Sequence, residues 1–324
     1  MTLAPIILFV YNRPWHTEQT LCALMANDLA SESDLFIYAD GPKVNATEEQ
    51  LQKIHEVRQL IRQEQWCGKV HIVESEKNKG LADSIIGGVT EIVNKYGKII
   101  VLEDDIVPTM GFLRYMNDAL EMYKDDEQVM HVSGYIYPHT SKMRTETLFL
   151  KVYSCWGWGT WQRAWKYFEP DVDVHLQHYS TKEETRYFDI DGHMPNYWQL
   201  VANKKGEIYT WAVKWYASWL WAGGCALFPH HSLVYNSGFD GTGEHCNAND
   251  TQLNKTRVDA INVYRIPIVE DLKVRKSIDD EFKKSRRPKS LRKWIGYMLV
   301  TLGIYSIIKE IQVRILDNII NKNR

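Results

Sequence analysis

Residues 98–108 read KIIVLEDDIVP, an apolar run that ends in three consecutive carboxylates, Glu103, Asp104 and Asp105. A short apolar run such as 99–102 is typical of a buried strand. Four other runs have the same character, at 6–10, 35–39, 70–73 and 129–132. We therefore predict several buried strands, one of which ends in an acidic motif.

Helical patterns lie between these runs, and the clearest covers about 47–65. Its apolar residues recur at helical spacing and are Leu51, Ile54, Val57, Leu60 and Ile61. Thr47 and Gln50 have the spacing of a capping box at its start. Strands that alternate with helices predict an α/β fold, with a mostly parallel sheet covered on both faces.

The loops that follow the predicted strands are the expected place for chemistry. In open parallel sheets, ligands bind beyond the carboxyl ends of the strands, where the connecting loops gather. The four loops at 11–14, 39–42, 78–80 and 103–105 are polar or contain glycine. We therefore expect one site built from all four.

The acidic motif points to a metal. Adjacent carboxylates in a partly desolvated cleft repel one another, and a divalent cation such as Mn²⁺ or Mg²⁺ would hold them together. Such a cation keeps coordination sites for diphosphate oxygens and offsets charge on a departing nucleotide diphosphate. A solvated acidic turn is the alternative, which the position after a central strand disfavours.

Two loops carry side chains that suit a nucleotide. Asp40 is placed to accept a hydrogen bond from a nucleobase imide, and Asn12 and Arg13 would flank the base and the phosphates. The alternatives for Asp40 are a turn-forming residue before Gly-Pro and a strand-end cap.

The third loop adds Asn78, Lys79 and Gly80. It would bring backbone amides and one cation near the diphosphate. Ordinary turn chemistry explains the same residues.

The segment 153–221 is rich in tryptophan and contains nine of the twelve in the chain. Flat apolar rings with an N–H suit stacking on sugars, although most of these side chains must belong to the core. We expect Trp156 and Trp158 to face the substrate, because the glycines between them would let a ligand approach the backbone.

The loop 236–246 contains glycines and acids that would let it fold over a bound donor. His245 would complete the metal site with an imidazole, and Asp240 and Glu244 are candidate general bases or metal partners. A surface histidine in a long loop is the alternative for His245.

These residues together resemble the GT-A glycosyltransferases, specifically bacterial relatives of eukaryotic N-acetylglucosaminyltransferase I. The resemblance runs through residues 5–14, the Asp40 loop, residues 101–108 with the helix at Phe112, and residues 155–161. It implies a GT-A fold and transfer of a sugar from a nucleoside diphosphate sugar, with a UDP-sugar expected, to a hydroxyl of a glycan acceptor. By the same resemblance, Asp105 binds Mn²⁺.

The resemblance also implies roles for the donor-side residues. Asn12, Arg13 and Asp40 would bind the nucleotide, and Glu103 and Asp104 would contact the ribose and the sugar. One departure concerns residues 211–215, WAVKW, where the family has an aspartate after the first tryptophan and this chain has Ala212. Inversion, which the family leads us to expect, needs a base, so that role would pass to a residue such as Asp240 or Glu244.

Composition excludes some classes. A chain of 324 residues with 44% hydrophobic content can bury a large core, and a net charge of −2 gives no support for binding nucleic acid. Five cysteines without paired short spacing are expected to be idle thiols. We predict a catalytic domain at 1–270, with a nucleotide-sugar part at about 1–135 and an acceptor part at about 136–270, followed by a tail at 271–324.

The tail combines charge and apolarity. Residues 283–293 contain seven cations and no acid, and residues 294–308 are largely apolar. An interfacial amphipathic helix on an anionic membrane would use both features. It would place the enzyme in the cytoplasm, on the inner face of the cytoplasmic membrane, beside a lipid-linked acceptor. Packing on the catalytic domain, or on a second copy in a homo-oligomer, is the alternative.

Two other functions compete. A sugar-1-phosphate nucleotidyltransferase shares the sheet and the metal, but it begins with a glycine-rich loop where this chain has Tyr11-Asn12-Arg13-Pro14. A catalytically silent carbohydrate-binding or scaffold protein would explain Ala212, whereas the nucleotide and metal loops argue against it.

Overall fold

The structure is a computed structural model that describes residues 2–142, 145–240 and 258–286. The strands are β1 (Ile6–Val10), β2 (Asp34–Ala39), β3 (Lys69–Glu74), β4 (Lys98–Glu103), β5 (Ile106–Pro108), β6 (Val129–Ser133), β7 (Thr147–Leu150), β8 (Trp158–Trp161), β9 (Cys225–Pro229) and β10 (Val234–Asn236). The α-helices are α1 (Pro14–Met25), α2 (Glu48–Leu60), α3 (Leu81–Tyr96), α4 (Phe112–Met122), α5 (Gln162–Trp165), α6 (Val172–His178), α7 (Lys182–Phe188), α8 (Asn196–Lys204), α9 (Ala212–Trp221) and α10 (Leu272–Arg286).

Eight strands form one sheet in the order β3-β2-β1-β4-β8-β6-β9-β7. The neighbours β3, β2, β1 and β4 are parallel, and β8 runs antiparallel to both β4 and β6. The pair β6 and β9 is parallel, and the edge strand β7 is antiparallel to β9. The predicted α/β class with a mostly parallel sheet is therefore confirmed.

Helices cover both faces of the sheet around β1, which is fully buried. On one face, α3 lies so close that a Cβ on Gly88 would stand 2.9 Å from Ile7 Cδ1 and 3.0 Å from Phe9 Cε1. Arg58 of α2 forms an ion pair with Glu74 at the end of β3, with its Nε 3.5 Å from the carboxylate. Because successive side chains of a strand alternate between faces, β1 can supply apolar contacts to both layers.

The helix predicted at 47–65 forms with its capping box, but it ends earlier. The N–H of Gln50 donates to Thr47 Oγ1 at 3.2 Å, and the N–H of Thr47 donates to Gln50 Oε1 at 3.0 Å. Beyond Leu60, the N–H groups of Arg62 and Gln63 bond to the carbonyls three residues back. This tighter turn closes the helix.

A second, two-stranded sheet pairs β10 with β5 in antiparallel register, with Tyr235 opposite Val107. The strand β5 directly follows the acidic motif. This pairing therefore brings the start of the loop after β10 onto Asp105, although more than a hundred residues separate them in sequence.

The chain divides into two compact units, residues 1–278 and 279–324, and the sites described below lie in the first. Its described cysteines, Cys22, Cys67, Cys155 and Cys225, are free thiols. No helix within the described ranges is both long and apolar enough to cross a bilayer.

Candidate active site

The carboxyl ends of the parallel strands β1, β2, β3 and β4 meet at one edge of the sheet. The loops that leave them carry Arg13, Asp40, Asn78 and the acidic motif, as the sequence predicted. This edge is where parallel sheets bind ligands.

Arg13 joins the loop after β1 to the end of β4. Its Nη1 lies 2.8 Å from Asp105 Oδ2 and 3.3 Å from Asp104 Oδ1. The hydroxyl of Thr20, about two helical turns further along, donates to the backbone carbonyl of Asp104 at 2.8 Å. The acidic motif is therefore held from both its side chains and its backbone by α1 and the residue before it.

Charge is crowded at this point. Burial and the neighbouring charges of Asp105 and Asp104 raise the pKa of Glu103 well above its ordinary value. Burial, followed by the charge of Asp105, raises the pKa of Asp104 to about 7. Burial disfavours the charged form of Arg13, but the nearby carboxylates outweigh it and raise the pKa of Arg13. The site thus disfavours the simultaneous ionisation of all three carboxyl groups, and a bound cation would favour their charged forms.

The loop after β10 closes over Asp105. The N–H of Ser237 donates to the Asp105 carbonyl at 2.8 Å. A Cβ on Gly238 would overlap Asp105 Oδ2 and lie 2.9 Å from Arg13 Nη2. Only glycine allows the loop to pass this close to the carboxylate, so Gly238 belongs to the site.

Asp240 belongs to the same loop and pairs with His16. The distance between His16 Nε2 and Asp240 Oδ2 is 3.0 Å, and the side chains are 7% and 42% exposed. Burial and then the charge of Arg13 lower the pKa of His16, which favours a neutral imidazole beside the carboxylate. Asp240 therefore contacts the buried His16 on the protein side, while 42% of its side chain is exposed.

Asp40 and the segment 78–80 are brought together as one unit. The Asp40 carboxylate accepts hydrogen bonds from the N–H groups of Lys79 and Gly80 at 2.9 and 3.0 Å, and from Asn78 Nδ2 at 2.9 Å. It therefore also caps the start of α3. A cleft of about 160 Å³ lies beside this unit, between β2, β3 and α3.

The two tryptophans predicted to face the substrate have different surroundings. Trp156 is half-buried, with its ring centroid 4.4 Å from that of Tyr135 and 5.5 Å from that of Phe239, the residue before Asp240. Trp158 is fully buried and stacks on Trp211 at 5.2 Å. The prediction for Trp158 is therefore corrected, because it offers no open ring face.

The glycines near these rings allow close packing of the protein on itself and do not open a path for a ligand. Gly157 has φ +60°, a conformation that favours glycine, and a Cβ there would lie 2.9 Å from Val234 Cγ1. A Cβ on Gly159 would lie 2.9 Å from the Ile99 carbonyl of the neighbouring strand. The short segment thus lets β8 approach β4.

The residues present fit a divalent cation only in part. Asp104 and Asp105 offer hard carboxylate oxygens, but within the described ranges no three His, Cys, Asp or Glu side chains are arranged to hold a metal. Mg²⁺ commonly binds through one or two carboxylates together with substrate phosphates. The geometry therefore fits a cation that is completed by a donor diphosphate, and not a cage made by the protein alone.

Some predicted residues lie outside the described part of the chain: Glu244, His245 and the membrane-directed segment beyond residue 286. Two residues of the site, His16 and Gly238, were not predicted as functional. The sequence contains a feature that could have predicted His16. Pro14 is typical of a helix start and follows β1 closely, so it places the first turn of α1, with His16, at the ligand edge of the sheet.

Comparisons with known proteins find distant structural similarity. No family model and no curated protein matches the sequence. Among solved structures, TarS from S. aureus is 12% identical with a TM-score of 0.30, covering 45% of this chain and 24% of that one. The mannosyltransferase PcManGT from Pyrobaculum calidifontis, in complex with GDP-Man and Mn²⁺, is 10% identical with a TM-score of 0.39, covering 68% of each chain.

Mouse xyloside xylosyltransferase 1, in its apo form, is 9% identical with a TM-score of 0.34, covering 74% of this chain and 99% of that one. The chain thus spans about a quarter of the length of TarS and two thirds of PcManGT. At these scores the similarities do not by themselves establish an activity.

Proposed function

We propose that this protein is a glycosyltransferase that moves a hexosyl or N-acetylhexosaminyl group from a nucleoside diphosphate sugar, a UDP-sugar in the first instance, to a hydroxyl of a glycan acceptor. The observation that carries the proposal is the junction of Arg13, Asp104 and Asp105 at the ligand edge of the sheet, closed over by the loop that carries Asp240.

The donor side of the mechanism follows from the loops. The nucleotide lies across the loops of Asn12 and Asp40, and Arg13 and Lys79 supply positive charge toward the diphosphate. Glu103 and Asp104 face the ribose and the sugar. Asp105 would hold Mn²⁺ or Mg²⁺ with the diphosphate, and the cation would offset charge on the leaving group.

The acceptor side needs a base. Asp240 takes the proton from the attacking hydroxyl, and the contact with the buried His16 positions its carboxylate. Trp156, beside Phe239, offers an apolar face for the acceptor. Attack on the face opposite the leaving diphosphate inverts the anomeric centre.

A silent carbohydrate-binding protein is the competing proposal, since Ala212 cannot accept a proton. The pair of His16 and Asp240 weighs against it, because it supplies a carboxylate at the site without any contribution from position 212. We also retain the proposal that the polybasic tail places the enzyme on the inner face of the cytoplasmic membrane, near a lipid-linked acceptor.

The test is calorimetric titration of a panel of nucleotides and nucleotide sugars with Mn²⁺, with Mg²⁺ and with chelator, on the wild type and on Asp105→Ala. Metal-dependent binding of one nucleotide diphosphate that is lost in the variant is the expected result. A folded protein that binds no member of the panel would refute the transferase and favour the silent binder. Slow donor hydrolysis without acceptor separates the two independently.

A further inference from the structure

Lys214 is a largely buried lysine whose ammonium group has no hydrogen-bonded partner within the described ranges. The residue is 6% exposed, and its Nζ lies 4.9 Å from the ring centroid of Tyr209. Within the described ranges, the ammonium donates no hydrogen bond and forms no ion pair. Lysine is rarely buried to this extent unless it is paired.

Burial has a cost that the surroundings do not remove. It lowers the pKa of Lys214, and the charges of Asp83 and Asp171 oppose this only from a distance. The nearer acid, Asp83, already accepts a hydrogen bond from the Tyr209 hydroxyl at 2.6 Å. A charged group held in a partly apolar place without an acceptor favours an anion that supplies one.

The backbone beside Lys214 also favours the binding of an anion. Lys214 belongs to the first turn of α9, a helix of ten residues whose N-cap, Trp211, makes no side-chain capping bond. The first N–H groups of a helix lack partners within the helix, and its N-terminal end carries partial positive charge. An oxyanion at this point would meet both the ammonium and these amides.

This turn of α9 flanks the proposed active site. The ring of Trp211 stacks on Trp158, and Trp158 pairs with Val101, two residues before Glu103. On the other side, Tyr209 reaches Asp83 in the first turn of α3, which directly follows the loop 78–80. This turn of the tryptophan-rich segment is therefore linked both to the strand that ends in the acidic motif and to the helix that follows the loop 78–80.

We propose that Lys214 and the first turn of α9 bind an oxyanion, a carboxylate or a phosphate, carried by the acceptor. The acceptor is then an acidic saccharide or a phosphate-bearing glycan. Describing the ligand as an acceptor rests on the proposed transferase function, whereas the anion site itself does not.

The test is titration of the full chain with glucuronate, with inorganic phosphate and with neutral glucose, followed by NMR of the tryptophan indole N–H signals. We expect at least one anion to bind the wild type and to bind Lys214→Met at least tenfold more weakly. The binding of glucose should be the same for the wild type and for Lys214→Met. Preference for glucuronate identifies a carboxylate, and preference for phosphate identifies a phosphate. Lys214→Arg, which keeps the cation, should retain binding.

The matched control is Lys205→Met, which removes one exposed lysine and should bind like the wild type. Methionine resembles the lysine stem in length, and thermal unfolding checks that Lys214→Met remains folded. Anion binding that is unchanged in Lys214→Met, or that is no tighter than glucose binding in the wild type, would overturn the proposal. Loss of nucleotide diphosphate binding alone in Lys214→Met would also overturn it, by assigning the lysine to the donor.

Titration of the wild type with the nucleotide panel and with the same anions separates this proposal from the proposed function. If donor binding is absent but the anions still bind through Lys214, the transferase proposal fails and the anion site stands. If the donor binds and neither anion does, the transferase stands and this inference fails.

Discussion

The guanidinium of Arg13 lies 2.8 Å from the carboxylate of Asp105, a residue 92 positions further along the chain. This contact ties the loop after β1 to the end of β4, and the Ser237 N–H adds the loop after β10 to the same residue. Three separate parts of the chain therefore converge on one carboxylate. A change in any of these three parts should alter the affinity for a ligand bound at Asp105.

Gly238→Ala should weaken binding of the nucleotide diphosphate by roughly tenfold or more, equivalent to ~1.4 kcal/mol. The added Cβ would overlap Asp105 and press on Arg13. Calorimetry measures the effect. As a control, Gly223→Ala, at a glycine with φ +81° in the turn between α9 and β9, should lower stability by about 1 kcal/mol and leave nucleotide affinity unchanged. Equal nucleotide affinities of wild type and Gly238→Ala would contradict the described closure.

Asp240→Asn should lower the transfer rate by roughly 10²–10⁴ while donor affinity stays close to that of the wild type, because the amide cannot accept the proton. His16→Phe should lower the rate less, since it releases Asp240 without removing it. In the double variant the two effects should not add, as expected for residues in contact. Steady-state kinetics of the two single variants and the double variant measures whether the effects add. The control is His55→Phe, at an exposed histidine on α2. Additive losses would show that His16 does not act through Asp240.

Trp158→Ala should lower the free energy of unfolding by roughly 3–5 kcal/mol, because it empties a fully buried site among aromatic rings. Trp156→Ala, at a half-buried ring, should cost less stability and raise the KM for the acceptor. Chemical denaturation and acceptor titration measure the two quantities. The reverse pattern would restore Trp158 as the sugar-facing residue.

His131 should make stability depend on pH. Its Nδ1 accepts the Trp215 indole N–H at 3.2 Å, its Nε2 lies 3.0 Å from the Ser154 carbonyl, and burial lowers its pKa to about 4. Between that value and the ordinary pKa of about 6.5, the unfolded chain binds the additional proton. His131 therefore makes its full contribution to the free energy of unfolding above about pH 6.5. As pH falls toward 4, this contribution decreases by roughly 3 kcal/mol.

Denaturant unfolding between pH 7 and pH 4 measures this loss. In His131→Gln the pH slope should decrease by up to one proton over this interval, whatever the absolute stability of the variant. An unchanged slope would show that His131 is accessible to protons in the folded protein.

Local pattern was enough to predict the strands around the acidic motif. Apolar runs and helical spacing depend on neighbours in the chain, so β1 was predicted with its observed bounds and the capping box at Thr47 was predicted with its partner. The end of α2 at Leu60 was not predicted correctly. The tighter turn after Leu60 depends on backbone geometry, which apolar spacing does not encode.

The sequence by itself determined that polar loops would gather at one edge of a parallel sheet, because strand direction follows from the alternation of strands and helices. Only the tertiary structure decided which side chains meet there: Arg13 with Asp105, His16 with Asp240, and Asp40 with the segment 78–80. It also decided that Trp158 is core and that the buried Lys214 lies against the Tyr209 ring without a hydrogen-bonded partner within the described ranges. Such contacts join residues far apart in the chain, and strand order and packing set their distances, which no local pattern contains.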